Sequence, residues 1–241
     1  MMKELCKTEV YAHRGVHDNK TVFENTVPAI RLAGEMGIGA EIDVRLTSDG
    51  VAVVHHDPIS IAGDRISRTP YDELKNYRFP DGSRVPTLCE VMDEFGGRVA
   101  LLIEIKSTGP SGTVARKTWE AIKGRTSGVT VQSFDPLMLR RFRWLSGGTV
   151  RCGLLSAAYA VTDGVLPYLH GKLLFSPFSG ADFISYRSDS AAARMLQKLR
   201  TNKTKFGLWS VGLESAADGQ DGADFYICDV LPREGGTANG N

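Results

Sequence analysis

VALLIEIK, residues 99–106, is an almost unbroken apolar run interrupted only by Glu104 and Lys106. A strand with no polar alternate face is covered on both sides, as parallel strands flanked by helices are. Working outward, the same pairing of a short extended run with a helical stretch recurs. Just upstream, Thr87 caps a helix that carries Leu88, Val91, Met92 and Phe95 on one face, with Glu90 at capping-box spacing. Downstream, a helix is predicted over 113–123 and a strand over 129–134, and Asp135-Pro136 opens a helix that reaches Leu145. Strands follow over 150–156, 181–187, 205–211 and 223–230, with helices over 162–170 and 190–199. Toward the N-terminus, a strand at 10–12 leads through a loop to a helix. Asn25 and Thr26 are N-cap types there, and Gly37 stops the spacing of Ala29, Ile30, Ala33 and Met36.

Core strands near residues 11, 42, 102, 131, 152, 184, 208 and 227 make eight, mostly separated by helical patterns. This predicts an α/β fold, a TIM (β/α)8 barrel in one domain over residues 1–234, since such barrels typically run to about 250 residues. An open doubly wound sheet fits less well because no GxGxxG follows the first strand. Residues 58–86 are rich in Gly, Pro and Asp around one short helical piece at 71–77, and read as a loop or lid inserted after the second strand. The small polar residues 235–241 read as a disordered tail.

The second strand lies in GAEIDVRLTSDGVAVVHHD, residues 39–57. Ile42, Val44 and Leu46 alternate with Glu41, Asp43 and Arg45, so two carboxylates share one face. Thr47-Ser48-Asp49-Gly50 is a turn, and Val51 to Val54 a second extended run closed by His55-His56-Asp57. The hairpin returns imidazoles toward carboxylates, the composition of a hydrolytic metal site. His56, nearer the loop, is the favoured histidine, with His55 in a supporting role. Barrel strands deliver the polar residues at their C-terminal ends to one mouth. His13, Glu41, Asp43, Glu104, Lys106, Gln132, Ser133 and Trp209 all lie at or near such ends. Glu104 is costly to bury in an apolar strand unless it is paired or metal-bound, and Lys106 is a ready partner. His17 and His170 are read as surface or packing residues.

With 29 basic and 28 acidic residues the chain offers no field for a polyanion, so nucleic acid is not an expected partner, and Arg140, Arg141 and Arg143 read as a helix face. Charged residues interrupt every apolar pair of MMKELCKTEV, which lacks the apolar core of a signal peptide. No amphipathic anchor is evident, so no stable membrane attachment is expected. Cys6, Cys89, Cys152 and Cys228 are widely spaced, which suits thiols in a reducing, cytoplasmic setting.

AHRG at residues 12–15, ENT at 24–26, ExDVRLTSDG at 41–50, VVHHD at 53–57, VPTL at 85–88 and IEIK at 103–106 together resemble the glycerophosphodiester phosphodiesterase family. QSFDP at 132–136 and LWSV at 208–211 extend the likeness at lower specificity. The resemblance implies a TIM barrel that hydrolyses a small glycerophosphodiester to an alcohol and glycerol 3-phosphate with one divalent cation. By position, it implies metal ligation by Glu41, Asp43 and Glu104 and acid/base roles for His13 and His56. Three carboxylates suit Mg²⁺ or Ca²⁺ better than Zn²⁺. Arg14 and Lys106 would meet the phosphate charge, and Trp209 the substrate. Phe23 replaces the usual proline before ENT, Gly212 an asparagine, and ADFYICD the usual final strand, departures that bear on substrate preference. Two other readings are a phospholipase D-like enzyme acting on lysophospholipid or sphingomyelin, and a catalytically silent metabolite-binding barrel. Loss of a metal carboxylate or a histidine would mark the silent barrel, and none is lost.

Overall fold

The computed structural model describes residues 9–107, 111–158, 173–174, 176–188, 204–218 and 222–232. The helices expected over 162–170 and 190–199, His170, Cys6 and the tail 235–241 lie outside the described residues.

The strands are β1 (Glu9–Ala12), β2 (Gly39–Leu46), β3 (Ala52–Val54), β4 (Leu101–Ile105), β5 (Val129–Ser133), β6 (Arg151–Ser156), β7 (Phe183–Arg187), β8 (Lys205–Gly212) and β9 (Phe225–Asp229). All pair in parallel except β3, which folds back antiparallel on β2 with Val44 opposite Val54. Because β1 pairs with both β2 and β9, the eight parallel strands close on themselves. The expected TIM barrel is the fold observed. The described helices are α1 (Val27–Glu35), α2 (Tyr71–Leu74), α3 (Leu88–Phe95), α4 (Ser111–Ile122), α5 (Pro136–Ser146), α6 (Ser176–Ser179) and α7 (Leu213–Asp218). No helix among the described residues is long and apolar enough to cross a membrane.

Alternation along each strand divides the apolar residues into two cores. Ile42, Val44, Ile103, Ile105, Val131 and Leu154 belong to the layer that also holds Ile30, Leu88, Val91, Met92, Phe142 and other helix residues. Tyr11, Leu102, Phe183, Phe225 and Ile227 form a separate cluster, which fills the barrel interior. Glycines on neighbouring strands make room for these rings. A Cβ at Gly153 would lie 1.9 Å from the Phe183 ring, and one at Gly207 2.1 Å from that of Phe225. The barrel is therefore plugged below its mouth, and the polar residues above stand on a packed floor.

Local signals behave as the sequence predicts at the helix starts. Thr26 caps α1 and Asp135 caps α5 by accepting from backbone N–H groups, and Thr87 and Glu90 form the reciprocal capping box of α3. The helix expected at 71–77 is shorter, since α2 ends at Leu74. Residues 58–86 nevertheless carry a small core of their own. Ile66, Leu74 and Val85 pack on Val53 of the hairpin, with Tyr71, Tyr77 and Phe79 around them. Arg84 then pairs with Glu90 and ties the segment to α3.

Candidate active site

Glu41 and Asp43 on β2 and Glu104 on β4 point into the barrel above the plug, since Asp43 stands in register with Glu104 on the adjacent strand. Each is buried, and one carboxylate oxygen from each lies within 4.8 Å of the others. Lys106 sits between two of them, its Nζ 2.8 Å from Asp43 Oδ1 and 2.6 Å from Glu104 Oε1. Asp43 Oδ1 is buried, with the Lys106 ammonium as its neighbour. Glu41 accepts only the backbone N–H of Arg14, at 3.1 Å, among the described hydrogen bonds.

The electrostatics follow from this crowding. Burial, then the charge of Asp43, pushes Glu41 up to about 8. Glu104 is raised by the same two causes. Asp43 goes the other way: burial would raise it, but Lys106 and His56 and the donors on Lys106 and Asn25 hold it below the usual carboxylate range. Lys106 is desolvated yet raised, because Asp43 and Glu104 both favour its charge. The site is thus short of positive charge beside Glu41. An all-oxygen donor set of three buried carboxylates within 4.8 Å of one another fits a hard divalent cation.

The loop after β1 supplies the second wall. Arg14, at φ 57, donates to both oxygens of Glu24 at 2.9 and 3.0 Å, and its Nε lies 3.6 Å from Asp43 Oδ2. Asn25, at φ 58, is buried and grips Asp43 twice. Its Nδ2 donates to Oδ2 at 2.8 Å, and its Oδ1 accepts from the Asp43 backbone N–H at 3.0 Å. Two non-glycine residues in the left-handed region cost backbone energy, and here both present side chains to one carboxylate.

The two expected histidines flank this cluster. His13 Nδ1 lies 2.7 Å from Asp229 Oδ1, and His56 Nδ1 lies 2.8 Å from Asp57 Oδ1. Their surroundings differ. Burial would lower His13, but the bond to Asp229 and the charge of Glu41 hold it above its usual value. His56 is lowered by burial, with Lys106 and Arg14 adding to the fall against the pull of Asp43. The Arg45 guanidinium donates to the His56 carbonyl at 2.7 Å and fixes the end of β3. His55 points elsewhere, with Nε2 3.0 Å from the Ile59 carbonyl, and so anchors the start of the 58–86 segment.

Other expected residues lie on strands beyond β4, with Gln132 in register with Glu104. Ser133 donates to the Ile105 carbonyl at 2.7 Å, and Gln132 accepts from Ser185 at 2.8 Å. Trp209 packs against the interior apolar cluster, donates to the Ser156 carbonyl at 3.1 Å, and meets Phe134 edge-on. A register shift at Ser210 follows it, so a bulge sets its aim. His17, expected to be a surface or packing residue, packs beside Glu24 in the Arg14 wall, with Nε2 3.8 Å from it. The sequence reading gave Asn25 only an N-cap role, which Thr26 fills, and gave Glu24 and Asp229 none of their own. Glu24 and Asn25 carried a signal in the ENT motif, and Asp229 carried none.

A model of the glycerophosphoryl diester phosphodiesterase family matches residues 13–223. A glycerophosphodiester phosphodiesterase of Caldanaerobacter subterraneus is 39% identical over 120 residues, 42% of this chain and 46% of that protein. Human glycerophosphodiester phosphodiesterase 1 is 29% identical over 161 residues, 59% of this chain and 47% of that one. The matched part thus spans about half the length of these relatives. Among solved structures, a glycerophosphodiester phosphodiesterase from Parabacteroides distasonis superposes with a TM-score of 0.77 at 24% identity, over 93% of both chains. A phosphodiesterase from Oleispira antarctica, in complex with the product sn-glycerol-3-phosphate, does so with a TM-score of 0.75 at 22% identity over 92% of each.

Proposed function

Because this chain belongs to the glycerophosphoryl diester phosphodiesterase family, we propose that it hydrolyses small glycerophosphodiesters to an alcohol and glycerol 3-phosphate with a divalent cation. The observation that carries the reading is the set of Glu41, Asp43 and Glu104 oxygens within 4.8 Å of one another, flanked by two histidines that each face an aspartate through Nδ1. The product held by the Oleispira antarctica neighbour is of the same class.

Glu41, Asp43 and Glu104 would hold the ion, Mg²⁺ or Ca²⁺ by the donor set. When bound, it polarises a phosphoryl oxygen and offsets developing charge. The remaining steps belong to side chains. Arg14 and Lys106 meet the phosphate charge from the wall and floor. His56, beside two cations, is kept neutral and takes the proton from the nucleophile, water or a neighbouring hydroxyl of the substrate. His13, beside Glu41 and Asp229, keeps its proton and delivers it to the departing alkoxide as the phosphorus–oxygen bond breaks. Trp209, across the interior, is proposed to meet the substrate.

The test is a panel of glycerophosphodiesters (choline, ethanolamine, inositol and glycerol) with lysophosphatidylcholine beside them, assayed for glycerol 3-phosphate. Release from at least one diester is expected. His13→Ala and His56→Ala should each lower kcat by roughly 10²-fold or more, as positioned acid/base groups contribute about 10² to 10⁴. Choline release from the lysolipid alone would replace the reading with a lipase-like one, and no turnover of any substrate would favour a silent binding barrel. Damage from His55→Ala with His56→Ala silent would show that the other face of the hairpin carries the chemistry.

A further inference from the structure

We propose that Asp229, at the end of the last barrel strand, is the positioning residue for His13, holding Nδ1 toward its carboxylate so that Nε2 meets the substrate. The inference rests on the phosphodiesterase reading for the reaction, and on geometry for the pairing.

The two residues are separated by 216 positions and are brought together by barrel closure. β9 runs parallel to β1 with Cys228 in register with Ala12, and the His13 backbone N–H donates to the Cys228 carbonyl at 2.8 Å. His13 and Asp229 are therefore the next residues on two adjacent strands, leaving the sheet side by side. Their side chains meet at 2.7 Å, although Asp229 is 72% exposed. A solvated aspartate at a strand end needs no such partner.

A bracing role is already filled by backbone. The His17 N–H donates to the Val230 carbonyl at 3.1 Å, so the turn after β1 is tied to the end of β9 without the Asp229 side chain. What the carboxylate adds is direction. A neutral imidazole donating from Nδ1 has its lone pair on Nε2, and an imidazolium in the same place has its charge met. Asp57 stands to His56 in the same relation at 2.8 Å, from the neighbouring position in the chain. Both proposed acid/base groups thus carry a carboxylate on Nδ1, one supplied locally and one only when the final strand docks. The other charged groups that act on His13 are Glu41 and Arg14, and His13 in turn acts on Glu104.

The experiment uses the full chain with Mg²⁺ and two diesters of glycerol phosphate, one of choline and one of p-nitrophenol. Asp229→Ala should lower kcat on the choline diester by about 10-fold to 100-fold with KM within about 2-fold, less than the loss of a buried triad carboxylate because this one is solvated. The p-nitrophenyl diester should suffer less, since a phenolate leaves without being protonated. In parallel, ¹⁵N shifts of the His13 ring at alkaline pH, where it is neutral, assigned with His13→Gln, should show the Nδ1–H tautomer in the native protein and a mixed population in Asp229→Ala. Unchanged kcat with unchanged ¹⁵N shifts would overturn the proposal. Equal losses on both diesters with a lowered Tm would also overturn it, making Asp229 a structural residue. If the native protein cleaves neither diester, the phosphodiesterase reading falls, and the ¹⁵N pattern alone decides the pairing.

Discussion

Glu104 is where function and stability oppose each other most directly. Its carboxylate shares the barrel mouth with Glu41 and Asp43, and Lys106 stands between it and Asp43. Glu104→Gln keeps the shape and removes one of the mutually repelling charges, so the metal-free variant should melt at or slightly above the native temperature. Native protein should gain stability when Mg²⁺ or Ca²⁺ is added, because a ligand that binds only the folded state stabilises it, and the variant should gain much less. Equal shifts in both would make Glu104 a structural partner of Lys106 and not a ligand. Glu41 gives a pH test with a definite sign. Its folded value is raised from an ordinary 4.5 to about 8, so its contribution is fully present below about 4.5 and is lost as pH rises through 8. Asp43 is lowered and works oppositely, its contribution being lost as pH falls below the usual carboxylate range. Thermal melts of metal-free native protein should therefore fall between about pH 5 and 8, and Glu41→Gln should flatten that fall. A Glu41→Gln curve parallel to native would show that Glu41 does not titrate there. At this scale the sequence displayed the carboxylates and histidines, because each interrupts an apolar pattern or closes a strand. It hid Asp229 and the grip of Asn25 on Asp43, because no local period reports a contact between distant strands or a positive φ at a non-glycine residue.

Among elements, strands and capped helices were legible from alternation, continuous apolar runs and N-cap residues, and β4 is buried along its whole length as VALLIEIK implied. The floor of the barrel was not legible. Gly153 and Gly207 look like weak points in their strands until the rings of Phe183 and Phe225 are seen to fill the space where a Cβ would stand. Gly153→Ala should cost about 1–3 kcal/mol by overpacking. Urea unfolding measures it, and a variant as stable as native would show that the plug is loose. The 58–86 segment was read from its breakers as irregular, whereas spaced apolar residues at 66, 74 and 85 give it a small core against Val53. Leu74→Ala should remove about 2–5 kcal/mol, the range for truncating a buried leucine where the cavity does not collapse. If that core is local, amide exchange should rise across 60–86 and stay slow in β4. Uniform acceleration would make the segment part of the global folding unit.

For the whole molecule, the count of strand-and-helix units gave the closed barrel, and the barrel gave one mouth at which separate motifs converge. Closure also makes the proposed pairing possible, since the first and last strands meet where His13 faces Asp229. The sequence showed which residues could carry a hydrolytic site but not how they divide the acid and base roles. The proposed division rests on the folded surroundings: burial, Lys106 and Arg14 lower His56 against Asp43, whereas Asp229 and Glu41 hold His13 up against burial. The central claim is that this fold holds a divalent cation on Glu41, Asp43 and Glu104 and uses the site to cut glycerophosphodiesters. The most direct measurement is ³¹P NMR of a glycerophosphodiester incubated with chelator-treated protein before and after Mg²⁺ or Ca²⁺ is restored. A static diester signal is expected without metal, with conversion to glycerol 3-phosphate once the ion is present; full conversion by the metal-free protein would show that the three carboxylates serve no catalytic ion.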